Sequence, residues 1–167
     1  MTGRKNRSDV SHQPRRDRMD AERVNDPYRN RGKWKEPTTC PECGAIFHHG
    51  HWQWGTAVAG AEQHLCPACE RIRDRVPAGQ LTLSGPFFVE HREEILHLVR
   101  HTEAKARAEH ALERIIEVKE EGDRTVVTLT DSHLTHGIGE ALHHAYHGEF
   151  DSRYTDEGDL LRAAWSR

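Results

Sequence analysis

The chain has 167 residues, of which 24 are Lys or Arg, 27 are Asp or Glu, 14 are His and four are Cys. No apolar run is long enough to cross a membrane, no secretory signal is recognisable, and four cysteines are too few for a disulfide-rich scaffold. We therefore expect a globular protein of the cytoplasm with no membrane partner.

The N-terminal segment is basic, whereas the rest of the chain is acidic. Residues 1–36 carry eleven basic and six acidic side chains, a net charge of +5, and contain no Ile, Leu or Phe. The remaining residues carry a net charge of −8. A segment without large aliphatic side chains cannot bury enough apolar surface to offset lost backbone entropy, so we predict a disordered basic arm over residues 1–36. Such arms often bind nucleic acids, but a purely solubilising tail has the same composition.

Two Cys-x-x-Cys pairs follow the arm. Cys40 and Cys43 are separated by 22 residues from Cys66 and Cys69. Two such turns supply four thiolates for one tetrahedral ion, and a shell of four Cys leaves no position for a catalytic water. We predict a zinc ribbon over residues 37–76 that holds one structural Zn²⁺ ion. A rubredoxin-like iron site has the same ligand spacing, and two disulfides would require an oxidising compartment.

The segment between the cysteine pairs predicts a short hairpin with two tryptophans. Trp52 and Trp54 are two residues apart, which places both on one face of a strand. Their indoles can stack on unpaired bases, or they can fill the small core of a ribbon. The candidate nucleic-acid-binding residues are these two tryptophans and six nearby basic residues: Arg31, Lys33, Lys35, Arg71, Arg73 and Arg75.

The pattern of apolar residues predicts a second domain over residues 77–167. Its elements are a strand at 81–83, a helix at about 87–110, strands at 112–119 and 124–130, a helix capped near residue 131, and a strand at 160–165. The order βαββαβ is that of a ferredoxin-like domain, with two helices on one face of an antiparallel sheet. We therefore predict an α+β protein in which the arm and the ribbon precede a ferredoxin-like two-layer domain. If the short first strand is absent, an αββαβ sheet remains.

The last predicted helix carries a polar stripe. His136, Glu140, His143 and His147 lie four, three and four residues apart and share one face. Histidines one helical turn apart bind transition metals, but a dedicated site also needs partners that orient the rings. We interpret the stripe as a solvated face, with metal binding as the alternative.

The sequence contains none of the common catalytic motifs. It lacks a Gly-x-x-x-x-Gly-Lys-Ser/Thr phosphate loop, a Gly-x-Ser-x-Gly elbow and a His-Glu-x-x-His pair. All four thiols belong to the predicted metal site, which leaves no cysteine nucleophile. We therefore predict a protein that is not an enzyme and uses no nucleotide cofactor.

A specific set of short motifs spans nearly all of the chain past residue 25. The motifs are Asp26-Pro27-Tyr28, residues 37–45, Trp52-Gln53-Trp54, residues 65–69, Pro77-Ala78-Gly79, residues 91–95, Glu109-His110, residues 130–134, and Leu161-Arg162 with Trp165. This set resembles a family of small bacterial four-cysteine zinc-ribbon proteins. That family has no assigned biochemical function, is associated with stress or low-oxygen gene clusters, and is sometimes labelled as an ATPase.

The two cysteine pairs and the pattern after them are also similar, more distantly, to the zinc-bearing N-terminal part of the archaeal and eukaryotic export adaptor for the large ribosomal subunit. This similarity implies RNA or the ribosome as the partner. We therefore expect a non-catalytic zinc-ribbon protein that binds RNA or the ribosome, in a stress response. The acidic charge after residue 36 favours one alternative, a protein–protein interaction module with a structural zinc. A thiol- and zinc-based redox sensor is a weaker alternative.

Overall fold

The computed structural model describes residues 26–28 and 34–167, so the predicted arm lies mostly outside the described residues. The described chain is a mixed α/β protein with two β-sheets and four helices. None of these four helices combines the length and the apolar character that crossing a membrane requires. We call residues 37–76 the ribbon and residues 77–167 the five-stranded unit.

The ribbon contains a four-stranded sheet with very short strands. These are β1 (Thr38–Thr39), β2 (Ile46–His48), β3 (His51–Gln53) and β4 (Glu62–Gln63). They lie in the order β3-β2-β1-β4, with β1 antiparallel to β2 and parallel to β4. The predicted hairpin is confirmed as β2 and β3, which pair Phe47 with Trp52. Helix α1 (Pro67–Asp74) follows the second cysteine pair.

The five-stranded unit is built on a larger sheet. Its strands are β5 (Gly79–Ser84), β6 (Ile115–Glu121), β7 (Arg124–Leu129), β8 (Glu149–Tyr154) and β9 (Leu161–Ser166). They lie in the order β6-β7-β5-β9-β8, so β5 is central, antiparallel to β7 and parallel to β9. The helices of this unit are α2 (Pro86–Glu90), α3 (Arg92–Glu109) and α4 (Ser132–Tyr146).

The core of the five-stranded unit lies between its sheet and its helices. Side chains alternate along each strand, and on β5 every second residue is buried, including Leu81. Ile138 and Leu142 of α4 are one helical turn apart and belong to the same buried cluster. Helix α4 lies so close to β8 that a side chain at position 139 would collide with the ring of Phe150, and Gly139 permits this approach.

Several predicted elements are confirmed in this unit. The short first strand is present as β5, and β6 and β7 form the predicted hairpin. Helix α4 begins at the predicted cap, where the Asp131 carboxylate accepts hydrogen bonds from the backbone N–H groups of His133 and Leu134. The hairpin and the capped helix carry strong local patterns, whereas the short first strand was the weakest of these predictions.

The order of elements nevertheless differs from the predicted βαββαβ. Residues 149–154 form an additional strand, and the first predicted helix is divided at His91 into α2 and α3. Strand β8 lies at the sheet edge, where its charged residues Glu149, Asp151 and Arg153 are exposed, so it lacks the apolar composition expected of a strand. The described residues mix helices and strands as predicted, but the six-element ferredoxin-like arrangement is not confirmed, and the predicted fully antiparallel sheet is wrong because β5 and β9 are parallel.

Candidate metal centre

The four cysteines meet at one point, which confirms their predicted grouping. One sulfur atom from each residue lies within 4.8 Å of the other three. The sulfur atoms of Cys43 and Cys66 are 3.7 Å apart. A tetrahedral ion with metal–sulfur distances of about 2.3 Å requires sulfur atoms about 3.8 Å apart. The donor chemistry and the spacing therefore fit one tetrahedral thiophilic ion held by Cys40, Cys43, Cys66 and Cys69.

A tight backbone turn positions the first cysteine pair. The N–H of Cys40 donates to the carbonyl of Ala45 at 2.8 Å, and the N–H of Gly44 donates to the carbonyl of Cys40 at 2.9 Å. Gly44 has a φ of 78°, in the left-handed region that favours glycine. This turn brings both sulfur atoms of the pair to the same side of the chain.

The start of α1 positions the second pair. Cys66 is the N-cap residue of α1, and its sulfur accepts a hydrogen bond from the N–H of Cys69 at 3.4 Å. The N–H of Cys66 itself donates to the sulfur of Cys40 at 3.3 Å, which links the two pairs. Because the N-terminus of a helix is electropositive, this position stabilises a negatively charged sulfur.

A buried arginine that the sequence analysis missed lies against the thiols. Arg114 is only 4% exposed and precedes β6. Its Nη1 donates to the sulfur of Cys69 at 3.3 Å, and its Nη2 donates to the sulfur of Cys43 at 3.1 Å. Nη2 also lies 3.8 Å from the sulfur of Cys66. One guanidinium therefore contacts sulfur atoms from both cysteine pairs.

The thiols differ in how readily they lose a proton. Burial opposes ionisation of Cys43, but hydrogen bonds from Ala45 and Arg114 and the charge of Arg114 lower its pKa to about 7. Burial raises the pKa of Cys69 to about 11, despite its hydrogen bond from Arg114. Burial and the nearby charge of Cys43 raise the pKa of Cys66 far above its usual range. A cation must displace protons from Cys66 and Cys69 at neutral pH, so its apparent affinity rises with pH.

A groove of about 520 Å³ opens beside the metal centre. Cys43 is half-buried at its wall, whereas the other three cysteines are buried. Arg73 of α1 and Arg107 of α3 line the same groove and are exposed to solvent. Two arginines from different parts of the fold therefore meet next to the thiols.

Both candidate tryptophans pack within the protein. Trp52 is only 8% exposed, and its ring contacts those of Trp34 and Phe47. Trp54 is half-buried, and its indole N–H donates to the carbonyl of Arg107 at 2.6 Å. Of the two roles that the sequence left open, this placement favours core packing over base stacking.

The candidate arginines of α1 have different surroundings. Arg71 is buried, and its guanidinium donates to the Asp26 carboxylate at 2.6 Å, so it contributes to packing rather than to the surface. Arg73 is exposed and forms an ion pair with Asp74 at 2.8 Å. Arg75, the C-cap residue of α1, is also exposed.

The other basic candidates precede the first cysteine. Lys35 is exposed and forms an ion pair with Glu62 at 2.9 Å. Arg31 and Lys33 lie outside the described residues. Of the predicted basic residues that the structure describes, only Arg73 lines the groove beside the cysteines, where it is joined by Arg107, which the sequence did not indicate.

The histidine stripe of α4 does not converge on a common point. His136 bonds to Glu140 and to Ser152, each at 3.1 Å, and His143 bonds to the carbonyl of Gly148 at 2.9 Å. Within residues 26–28 and 34–167, the cysteines are the only group of three or more His, Cys, Asp or Glu side chains placed to hold an ion. This favours a solvated face over metal binding for Glu140, His143 and His147, which are exposed, whereas His136 is half-buried against β8.

A scan of family models, a search of the curated proteins and a search of the solved structures each find no match to this chain. The family resemblance stays a prediction. The function is therefore argued from the geometry of the chain itself.

Proposed function

We propose that the protein is a non-catalytic RNA- or ribosome-binding protein of the cytoplasm that contains one structural Zn²⁺ ion. The observation that carries this proposal is the groove where Arg73 and Arg107 lie beside the metal centre. The basic composition of residues 1–36 supports the same class of partner.

Zinc is the ion that four cysteine thiolates in a tetrahedral arrangement most often hold. When bound, it supplies a cross-link between two chain segments and no catalytic position, since four thiolates complete its coordination. The ribbon needs such a cross-link because its buried cluster is small: besides the cysteines it contains Ala45, Trp52, Ala68 and, from the five-stranded unit, Ala111.

Phosphate contacts, rather than base stacking, provide the RNA affinity in this proposal. Trp52 is buried, and Trp54 is half-buried with the Arg114 guanidinium carbon 5.5 Å from its ring centroid, so neither ring is fully exposed to a base. Arg73 and Arg107 are exposed and can reach the phosphates of a strand that follows the groove. Recognition by phosphate contacts depends little on sequence and weakens steeply as salt is added.

Co-sedimentation of the full chain with ribosomes over a range of salt concentrations tests the proposal. We expect the logarithm of the association constant to fall linearly with the logarithm of salt concentration. The double variant Arg73→Ala with Arg107→Ala should reduce that slope by about two, one for each lost phosphate contact. The matched control is Arg153→Ala, because Arg153 is also exposed and, like Arg73, pairs with an aspartate, here Asp151 on β8, outside this groove. An absence of salt-sensitive association would exclude the proposal.

A protein–protein interaction module is the second candidate. The observation that favours it is an open depression of about 620 Å³ on the sheet of the five-stranded unit, lined by Gln80, Thr82, Asp151, Arg153 and Arg162 among others. Charges of both signs border small polar side chains there, as is common at protein interfaces. Deletion of residues 1–25, which spares the buried Asp26 and the packed Trp34, discriminates between the candidates: RNA binding should weaken, whereas a contact made by this sheet should persist.

A further inference from the structure

The side chain of Arg114 belongs to the surroundings of the metal centre. It donates hydrogen bonds to sulfur atoms of Cys43 and Cys69, one from each cysteine pair. Four thiolates around a divalent cation carry two excess negative charges, and a buried guanidinium offsets one of them. The same guanidinium also donates to the carbonyl of Ala111, at 2.9 Å from Nε and 2.8 Å from Nη2.

The backbone of Arg114 belongs to the five-stranded unit. Its N–H donates to the hydroxyl of Thr130 at 2.9 Å, and its carbonyl accepts a hydrogen bond from the N–H of Thr130 at 2.9 Å. Arg114 directly precedes β6, and Thr130 directly follows β7. The guanidinium is therefore held at the end of the β6–β7 hairpin and reaches from there to the sulfur atoms of the ribbon.

Other contacts between the ribbon and the five-stranded unit lie around Arg114. Trp54 donates to the carbonyl of Arg107, and its ring centroid lies 5.5 Å from the Arg114 guanidinium carbon. Ala111 is buried in the same cluster as the cysteines, and Leu112 packs against that cluster. Residues 107–114 thus form the seat on which the ribbon rests, and we call them the seat.

We infer that Arg114 couples occupancy of the metal centre to the docking of the ribbon on the seat. With the ion bound, the sulfur atoms are fixed and negatively charged, and they compensate the buried guanidinium. Without the ion, Arg114 keeps the Ala111 carbonyl but loses the fixed thiolates that compensate its charge, and a buried cation without a counter-charge is destabilising. The seat and Trp54 then separate, while the rest of the five-stranded unit stays folded. This inference rests on the proposed metal centre but not on RNA binding.

Coupling of this kind is reciprocal, so it can be tested from both directions. If the ion stabilises docking through Arg114, removal of Arg114 must weaken both docking and ion binding. An arginine that only packs locally would affect neither once the ion is bound. Arg114→Met removes the charge and the donors but retains most of the length, and Arg114→Lys retains the charge but lacks the planar fork that donates to two sulfur atoms from separate nitrogens.

The experiment uses the zinc-loaded full chain, the chain after zinc removal by a chelator, and the two zinc-loaded variants. Zinc affinity is measured by competition with a chromophoric chelator, and hydrogen exchange is measured over the seat and over β5 and β7. We expect Arg114→Met to weaken zinc binding by about 10- to 100-fold, which is the usual effect of substituting a residue that hydrogen-bonds to metal ligands. We expect the seat to exchange faster in this variant even with zinc bound, and also in the wild-type chain after zinc removal, while β5 and β7 stay protected in both.

The matched control is Arg92→Met. Arg92 has a largely covered side chain and donates to the carbonyl of Gly122 and to the Glu120 carboxylate, outside the metal centre. The Arg92→Met variant should have wild-type zinc affinity and wild-type hydrogen exchange over the seat. Wild-type zinc affinity in Arg114→Met, or a seat that stays protected after zinc removal, would overturn the inference. If Arg114→Met does not fold, the inference is tested by Arg114→Lys and by zinc removal from the wild-type chain. A wild-type chain that binds no zinc at all would instead refute the metal centre.

Discussion

The buried cluster of the ribbon consists of cysteines, alanines and one tryptophan, whereas that of the five-stranded unit consists mainly of leucines, isoleucines and valines, with Phe88 and Trp165. The strands of the ribbon have two or three residues, and those of the five-stranded unit have six or seven. Long strands can bury many aliphatic side chains under a layer of helices, but short strands cannot. The comparison teaches that the two neighbouring units need different means of stabilisation: apolar burial is sufficient for the five-stranded unit, whereas the ribbon depends on the proposed ion.

Loss of the ion should have the largest effect, and it should distinguish the ribbon from the five-stranded unit most clearly. Removal of zinc, or Cys66→Ala at a fully buried ligand, should unfold the ribbon, because a structural zinc site contributes about 10 kcal/mol or more. Hydrogen exchange should become fast over β1–β4 while β5 and β7 remain protected. Restored protection after zinc is added back to the stripped wild-type chain is the control. Loss of both units in one cooperative transition would contradict the comparison.

A cavity in the aliphatic core should instead destabilise the five-stranded unit and leave zinc binding by the ribbon unchanged. Leu81→Ala removes a fully buried side chain from the central strand and should cost about 2–5 kcal/mol of the unfolding free energy of the five-stranded unit. Zinc affinity should stay at the wild-type value. Thermal unfolding followed by circular dichroism measures the loss of stability, and competition with a chelator measures the zinc affinity.

The control for that cavity is Thr82→Ala, since Thr82 is the half-buried neighbour on the opposite face of β5. We expect its unfolding free energy to change by no more than about 0.5 kcal/mol. A Leu81→Ala protein that loses zinc affinity as well as stability would show that the two units depend on each other more than the comparison allows.

Acid should act on the ribbon before it acts on the five-stranded unit. Burial raises the pKa values of Cys66 and Cys69, so both thiols hold protons at neutral pH until a cation displaces them. Falling pH therefore favours the protonated, metal-free thiols. Above pH 7 the logarithm of zinc affinity should rise by at least about two for each pH unit, which is about 2.7 kcal/mol.

Below pH 7 the slope should increase. Cys43, whose pKa is lowered to about 7, then also gains a proton when the ion leaves. Calorimetric titration of the stripped chain with zinc, in buffers of different ionisation enthalpy, measures the number of protons released. A zinc affinity that does not change with pH would contradict the assignment of thiols as the ligands.

The smallest of these effects concerns the cap of α4. Asp131→Ala removes the carboxylate that accepts two backbone N–H groups and should destabilise the five-stranded unit by about 1 kcal/mol. Asp131→Asn retains a capping oxygen and should cost only a few tenths of that. Denaturant unfolding separates the two variants, and equal stability of both would mean that the cap contributes nothing.

The grouping of the cysteines was predictable because their spacing itself encodes the chemistry. Each Cys-x-x-Cys is a local turn, and Gly44 supplies the left-handed residue that the first turn needs. The capped helix α4 and the β6–β7 hairpin were predictable for the same reason, since their patterns are local. The edge strand β8 was missed because charged residues alternate along it.

Contacts between distant residues were not predictable from one sequence. Arg114 lies 45 residues from Cys69 and 71 residues from Cys43, and no local pattern distinguishes it from other arginines. The same holds for Arg71, which the sequence placed among the phosphate-binding candidates and the structure places in a buried ion pair with Asp26. Residue type indicates what a side chain can do, but only its tertiary partners decide whether it does so.

The central claim is that Cys40, Cys43, Cys66 and Cys69 hold a single zinc ion. Elemental analysis of the purified, untagged full chain after dialysis tests it most directly. The account predicts one tightly held zinc per chain, released when the thiols are alkylated under denaturing conditions. Iron in place of zinc, or no tightly held metal at all, would contradict it.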